Sequence, residues 1–197
     1  MNNFKELNLV SFPEAQGINV NMMPIIVGDK NSLPPNLQPY SKMIDGCGLD
    51  TASKAYLTVA ESIVPSNKFQ RRPGIHTDGT ISSGWGGGGW GGKSEGGSFI
   101  ASTDGDCQVW DYTTNDVDQH GALLHTPNSK PITLKQNTLY WLTDRTPHES
   151  LPSKKTHYRQ FFRLVADFIG VWWAQHSTPN PFGIMPNAHI EYGSKFL

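Results

Sequence analysis

The chain has 197 residues, near-balanced charge (16 Lys and Arg against 17 Asp and Glu) and 37% hydrophobic residues, among them 9 Phe, 6 Trp and 6 Tyr. That length fits one domain spanning residues 1–197, the aromatic content suits a packed core and excludes a disordered chain, and the charge balance supplies no global field to recruit nucleic acid or an anionic membrane. Two cysteines, Cys47 and Cys107, are too few for a disulfide scaffold and lack CxxC spacing, so both read as reduced thiols.

The first stretch, "MNNFKELNLVSFPEAQGINV", carries Lys5 and Glu6 and holds no continuous apolar run of the kind an export leader needs. The longest apolar candidate elsewhere, "FIGVWWA", is far short of the ~20 residues of a spanning helix, so a soluble, cytoplasmic protein is expected. Residues 1–48 are punctuated by Pro, Asn and Gly, which predicts short strands and turns packed on the core. The segment "LDTASKAYLTVAESIVP" sets Ala52, Ala55, Tyr56, Val59, Ala60 and Ile63 at helical spacing between Asp50 as N-cap and Pro65 as terminator. It predicts an amphipathic helix flanking a sheet. From Phe69 onward the pattern shortens to strand-sized pieces, "GGSFIAS", "CQVWDYT", "GALLHT", "KPITL", "TLYWLT" and "THYRQFFRLVADF", separated by turn residues. Such spacing predicts a mainly β sandwich or barrel, with the Pro- and Asn-rich tail wrapping the body.

Residues 71–99 present two competing motifs. Gly87 to Ser94 spells G-x-x-x-x-G-K-S, the formal signature of a phosphate-binding loop. That loop works by following a buried strand and opening a helix. Here no β-branched run precedes it, and Gly96 and Gly97 would break the helix in its first turn. The match follows from glycine density. Trp85 and Trp90 within the same stretch are large apolar surfaces, and they are expected to cover a bound substrate as part of a lid.

The second motif is His76-x-Asp78. In a strand, residues two apart share a face, so imidazole and carboxylate can meet one ion. His148 follows 70 residues after Asp78, and Arg159 lies 11 residues beyond it. Alternation along "HYRQFFRL" places Arg159, Phe161 and Arg163 on one face. His120 and His125 fall on opposite strand faces, while His157, His176 and His189 lack an aspartate at the H-x-D spacing. These five read as ordinary surface or hydrogen-bonded histidines.

An H-x-D pair, a distal His and an Arg about ten residues on, in an all-β background, resembles the Fe(II)/2-oxoglutarate-dependent dioxygenase superfamily over about residues 69–165. The resemblance implies a double-stranded β-helix, a jelly-roll variant of the cupin-like kind. It implies that His76, Asp78 and His148 are the catalytic metal ligands for Fe(II), with Arg159 holding the far carboxylate of 2-oxoglutarate. Arg163, at an interval similar to that of the taurine dioxygenase branch, is left for a carboxylate on the substrate. A carboxylate at 78 implies hydroxylation rather than halogenation. The expected substrate is a small molecule, with a peptide side chain as the alternative. The glycine-dense insertion after Asp78 departs from the family pattern, and no further hydroxyl or amide contacts to the co-substrate are assignable. The competing reading is a non-catalytic jelly-roll module that binds a metal or ligand.

Overall fold

The segment expected to be a helix is the longest strand among the described residues. In the computed structural model, which describes residues 3–79, 97–166 and 169–194, Lys54–Val64 runs extended, and Ala55 to Glu61 are all buried. It pairs over ten residues with the strand His157–Ala166 on one side and with Asn19–Ile26 on the other. A strand covered on both faces needs no polar alternation. Its small residues then mimic helical spacing, and tertiary pairing decides the matter.

Among the described residues the strands are β1 (Phe4–Leu9), β2 (Asn19–Ile26), β3 (Lys54–Val64), β4 (Ser98–Ser102), β5 (Cys107–Val109), β6 (Ile132–Thr133), β7 (Thr138–Leu142), β8 (His148–Ser150), β9 (His157–Ala166), β10 (Val171–Trp173) and β11 (His189–Glu191). Among the described residues there is one short α-helix, α1 (Ser41–Asp45), preceded by two 3-10 turns. The protein is therefore mainly β, as its strand spacing predicts, but its helix lies upstream of the expected place. None of its described helices is long and apolar enough to cross a membrane.

A six-stranded antiparallel sheet has the order β1-β7-β4-β9-β3-β2, and a three-stranded antiparallel sheet has the order β6-β5-β8. Strands β10 and β11 form a separate parallel pair near the C-terminal end. Alternation sorts the side chains of the large sheet into two cores. Leu57, Val59, Phe162 and Leu164 point to one face and pack on the segment that carries Leu37, Tyr40, Met43 and Ile44. Ala60, Ile100, Tyr140 and Phe161 point to the other and meet Cys107 and Val109 of the small sheet. Cys47 and Cys107 are free thiols, as their sequence context predicts. Ser98–Ser102 is a strand, so the chain does not continue from the G-K-S stretch into a helix of the length a phosphate-binding loop uses. Trp85, Trp90 and the expected lid lie outside the described residues.

One buried polar cluster ties the N-terminal segment to the large sheet. Glu61 accepts from the Tyr40 hydroxyl (2.6 Å), the Gln160 amide (3.0 Å) and the backbone amides of Gln16 and Ile18 (2.7 and 2.9 Å). Burial opposes its charge, yet these donors prevail and hold its pKa below the ordinary value. Replacing Glu61 by Ala removes the acceptor of the Tyr40 hydroxyl and the Ile18 amide, while the Gln160 amide keeps the Pro13 carbonyl. Urea denaturation of Glu61→Ala is expected to show a loss of about 2–5 kcal/mol, with Glu61→Gln losing less because it keeps acceptor capacity.

Candidate metal centre

The segment that leaves β3 crosses to the small sheet and joins it through one residue. His76 and His148 exchange both backbone hydrogen bonds, 3.0 Å from His76 N to His148 O and 2.9 Å in return, as an antiparallel pair. On its far side, Thr77 N donates to Gly121 O (2.8 Å) and Gly79 N to Asp144 O (2.7 Å). The H-x-D segment is thus held by main chain at three successive points, and His148 opens a strand of its own, β8, opposite Val109 of β5.

This pairing brings the two imidazoles side by side, with ring centroids 4.6 Å apart and the rings tilted at 56°. One ligand atom each from His76, Asp78 and His148 lies within 4.8 Å of the others, and Asp78 Oδ1 is 3.8 Å from His148 Nε2. Metal bonds of ~2.1 Å to adjacent octahedral positions place donor atoms ~3 Å apart, a contraction that small side-chain rotations supply. Each imidazole engages a backbone carbonyl through Nδ1, Gly74 O at 2.7 Å for His76 and Thr146 O at 2.9 Å for His148. A carbonyl only accepts, so Nδ1 carries the proton and Nε2 keeps its lone pair for a metal. Burial, and then the neighbouring His148, push the His76 pKa down to about 3, so no proton competes for that lone pair near neutrality.

Asp78 is buried and doubly held. Arg163 Nη1 lies 3.0 Å from its Oδ1, and the Ser98 hydroxyl donates to Oδ2 at 2.9 Å. Burial disfavours the carboxylate, but Arg163 and the two imidazoles outweigh it and keep the group well below the usual carboxylate range. Arg163 Nε is buried without a hydrogen-bond partner among the described residues, which leaves one donor of this guanidinium available beside the cluster. Two imidazoles and a carboxylate with borderline donor character suit a first-row divalent metal.

Beside the cluster lies a small, partly open cavity. His76, His148 and Arg163 line one part of it, and Ile100, Phe161, Leu134, Cys107, Gln108, Glu149 and Ser150 line the rest. Arg71 and Arg72 enter from the segment before the H-x-D motif. Arg71 places its guanidinium over the Phe161 ring at 5.1 Å. No sequence signal beyond a local basic patch marks Arg71, and none at all marks Ser98 or Gly121.

Arg159 and Arg163 share a strand face, as alternation predicts, but they make different contacts. The Arg159 side chain is 1% exposed. Its Nε lies 3.0 Å from both Asp104 Oδ1 and the Ser102 hydroxyl, and its Nη2 lies 3.3 Å from Cys107 Sγ. It stands behind the cavity wall that Cys107 forms. His157 joins the same cluster through Nε2, 2.6 Å from Asp104 Oδ2. Asp104, Asp106 and His157 are close enough to suggest a second cation site, yet the Arg159 guanidinium already supplies the cation there. His125 pairs with Asp116 on the surface.

Two outcomes test this geometry. Gly121 has φ +81°, and a Cβ built there would sit 2.5 Å from the Thr77 carbonyl oxygen, between the two proximal ligands. Gly121→Ala should lower stability by about 1–3 kcal/mol through the left-handed backbone and the clash, read by chemical denaturation. The Asp104 carboxylate, and next the Lys155 carbonyl, raise the His157 pKa above its ordinary 6.5. A raised folded pKa makes this contact's contribution complete below pH 6.5 and lost as pH rises through the folded value. In an NMR titration the His157 ring should titrate above 6.5, and Asp104→Asn should return it toward that value. Comparison of the chain with known protein families and with curated proteins finds no match.

Proposed function

We propose that this chain is a non-haem Fe(II) oxygenase that uses 2-oxoglutarate to hydroxylate a small-molecule substrate. The observation that carries the reading is the convergence of His76, Asp78 and His148, from two separate chain segments, beside a cavity rich in guanidinium groups. Three ligands on one face leave the remaining coordination positions for a bidentate 2-oxo acid and dioxygen. Ferrous iron bound there would supply dioxygen activation coupled to decarboxylation of 2-oxoglutarate, one oxygen atom passing to the substrate and the other to succinate, with release of CO2.

The protein's own part is binding and orientation. Backbone carbonyls fix the tautomers of both imidazoles, and Arg163 and Ser98 fix the carboxylate. Ile100, Phe161 and Leu134 give the cavity apolar walls that limit water. The sheet order supports a jelly-roll reading of the fold. From β3 to β9, successive segments fall in the large sheet, at the His76 bridge, in the large sheet at β4, in the small sheet at β5 and β6, then in the large, small and large sheets at β7, β8 and β9. Such alternation across two facing sheets is how a double-sheet jelly roll is wound.

Anaerobic titration should find one Fe(II) per chain, and His148→Ala or Asp78→Ala should weaken that binding at least about a hundredfold. With air and 2-oxoglutarate, the Fe(II)-loaded protein should release succinate slowly even without its substrate. Metal uptake with neither 2-oxoglutarate binding nor succinate would favour a non-catalytic metal-binding module. Unchanged Fe(II) binding in both variants would falsify the metal centre itself.

A further inference from the structure

Resting on that reading of the metal centre, we infer that a second gap between the two sheets is a passage by which dioxygen reaches it. The gap is small and partly open, and Ile100, Cys107, Leu134 and Phe161 line both it and the cavity beside His76 and His148. These four side chains, all buried and in contact as one cluster, are the wall that the two spaces share. Beyond the wall the lining continues along Thr138 and Tyr140 of β7 to Lys135, whose side chain is 68% exposed. On the metal side, Ile100 stands directly opposite Arg163 in the β4–β9 pairing, so the wall adjoins the arginine that holds Asp78.

The hydrogen bonds of the lining set the kind of molecule each space receives. In the cavity beside the metal ligands, Ser150 Oγ and Arg163 Nε are buried without a partner among the described residues, which suits a polar molecule. In the second gap every polar side chain is matched within the protein. The Ser102 hydroxyl and the Cys107 thiol meet Arg159, Asp104 meets Arg159 and His157, and Lys135 Nζ meets Glu6. The Thr138 hydroxyl donates to the Gln136 carbonyl, and the Tyr140 hydroxyl accepts from the Lys135 amide. Water entering there would give up hydrogen bonds and find few in return, whereas dioxygen requires none. Size narrows the choice further. A wall of packed side chains opens only by brief rotations, which pass a diatomic molecule and stop the hydrocarbon chain of a substrate. A separate route matters because a 2-oxo acid and a substrate together would fill the metal-side cavity and close it to gas.

Dioxygen is paramagnetic, so NMR of the methyl-labelled, metal-free protein under oxygen pressure reports where the gas lodges. The relaxation it adds at the Ile100 and Leu134 methyl groups should exceed that at Ile18 and Leu37, which are no more exposed and belong to the other core, by at least about threefold, as for an apolar void against a close-packed interior. Thr138 lines the second gap and not the metal-side cavity, so Thr138→Phe should fill the gap and abolish this excess. Thr138→Ile, which adds less volume, should reduce it and serves where the larger ring overpacks the sheet. With Fe(II) and 2-oxoglutarate bound, both variants should need several-fold more dioxygen to reach half their maximal rate of succinate release, at unchanged Fe(II) and 2-oxoglutarate affinity. Equal relaxation at all four residues, or an unaltered dioxygen requirement in both variants, overturns the passage and leaves the metal centre standing. Absence of Fe(II) uptake by the unaltered protein overturns the metal centre, and the passage with it.

Discussion

The pair of hydrogen bonds exchanged by His76 and His148 is the contact on which the rest of the site depends. Residues directly opposite in an antiparallel pair present their side chains on the same face, so one backbone register delivers two imidazoles to one place. A slip of a single residue would turn one of them to the other face. The register is guarded on both flanks, by β5 against β8 and by Gly121 and Asp144 against the H-x-D segment. The glycine at 121 is there because the chain passes too close to the Thr77 carbonyl for any side chain.

A second layer of order is electrostatic. Asp78 belongs to the segment joined to the small sheet and Arg163 to the large one, so their contact clamps the two layers at the cluster. A buried pair of this kind adds little net stability, because desolvation offsets most of its Coulomb energy, but breaking it leaves a buried charge without a partner. Four residues along the same strand, Arg159 makes a second such contact, with Asp104. One strand face thus carries two arginines of identical chemistry, and the nearest carboxylate to each separates their roles.

The candidate metal-binding cluster was legible in the sequence because His76 and Asp78, two residues apart, stood out against apolar strands. The strands from 98 to 166 were legible for the same reason, since turn residues separate them. The segment 54–64 was not, because burial on both faces removes alternation and its alanines fit a helical template equally well. The setting of Arg159 was hidden for another cause: Asp104 lies 55 residues earlier, and only the β4–β9 pairing brings it near. Arg71 is likewise defined by Phe161, a neighbour that no local pattern predicts. Pairings between distant segments decide such roles, and a single sequence does not display them.

The pairing of β3 with β9 also governs when the site can exist. Ala55 meets Ala166 and Val64 meets His157, so each rung closes a loop of roughly a hundred residues, and such contacts form slowly because chain entropy is lost before they contribute. Arg163 sits in the middle of that pairing, opposite Thr58. During synthesis, Asp78 therefore gains its partner only after β9 has emerged and paired with β3. Until then His76, Asp78 and His148 are separate pieces of an unfinished sheet, and the candidate centre is not yet assembled.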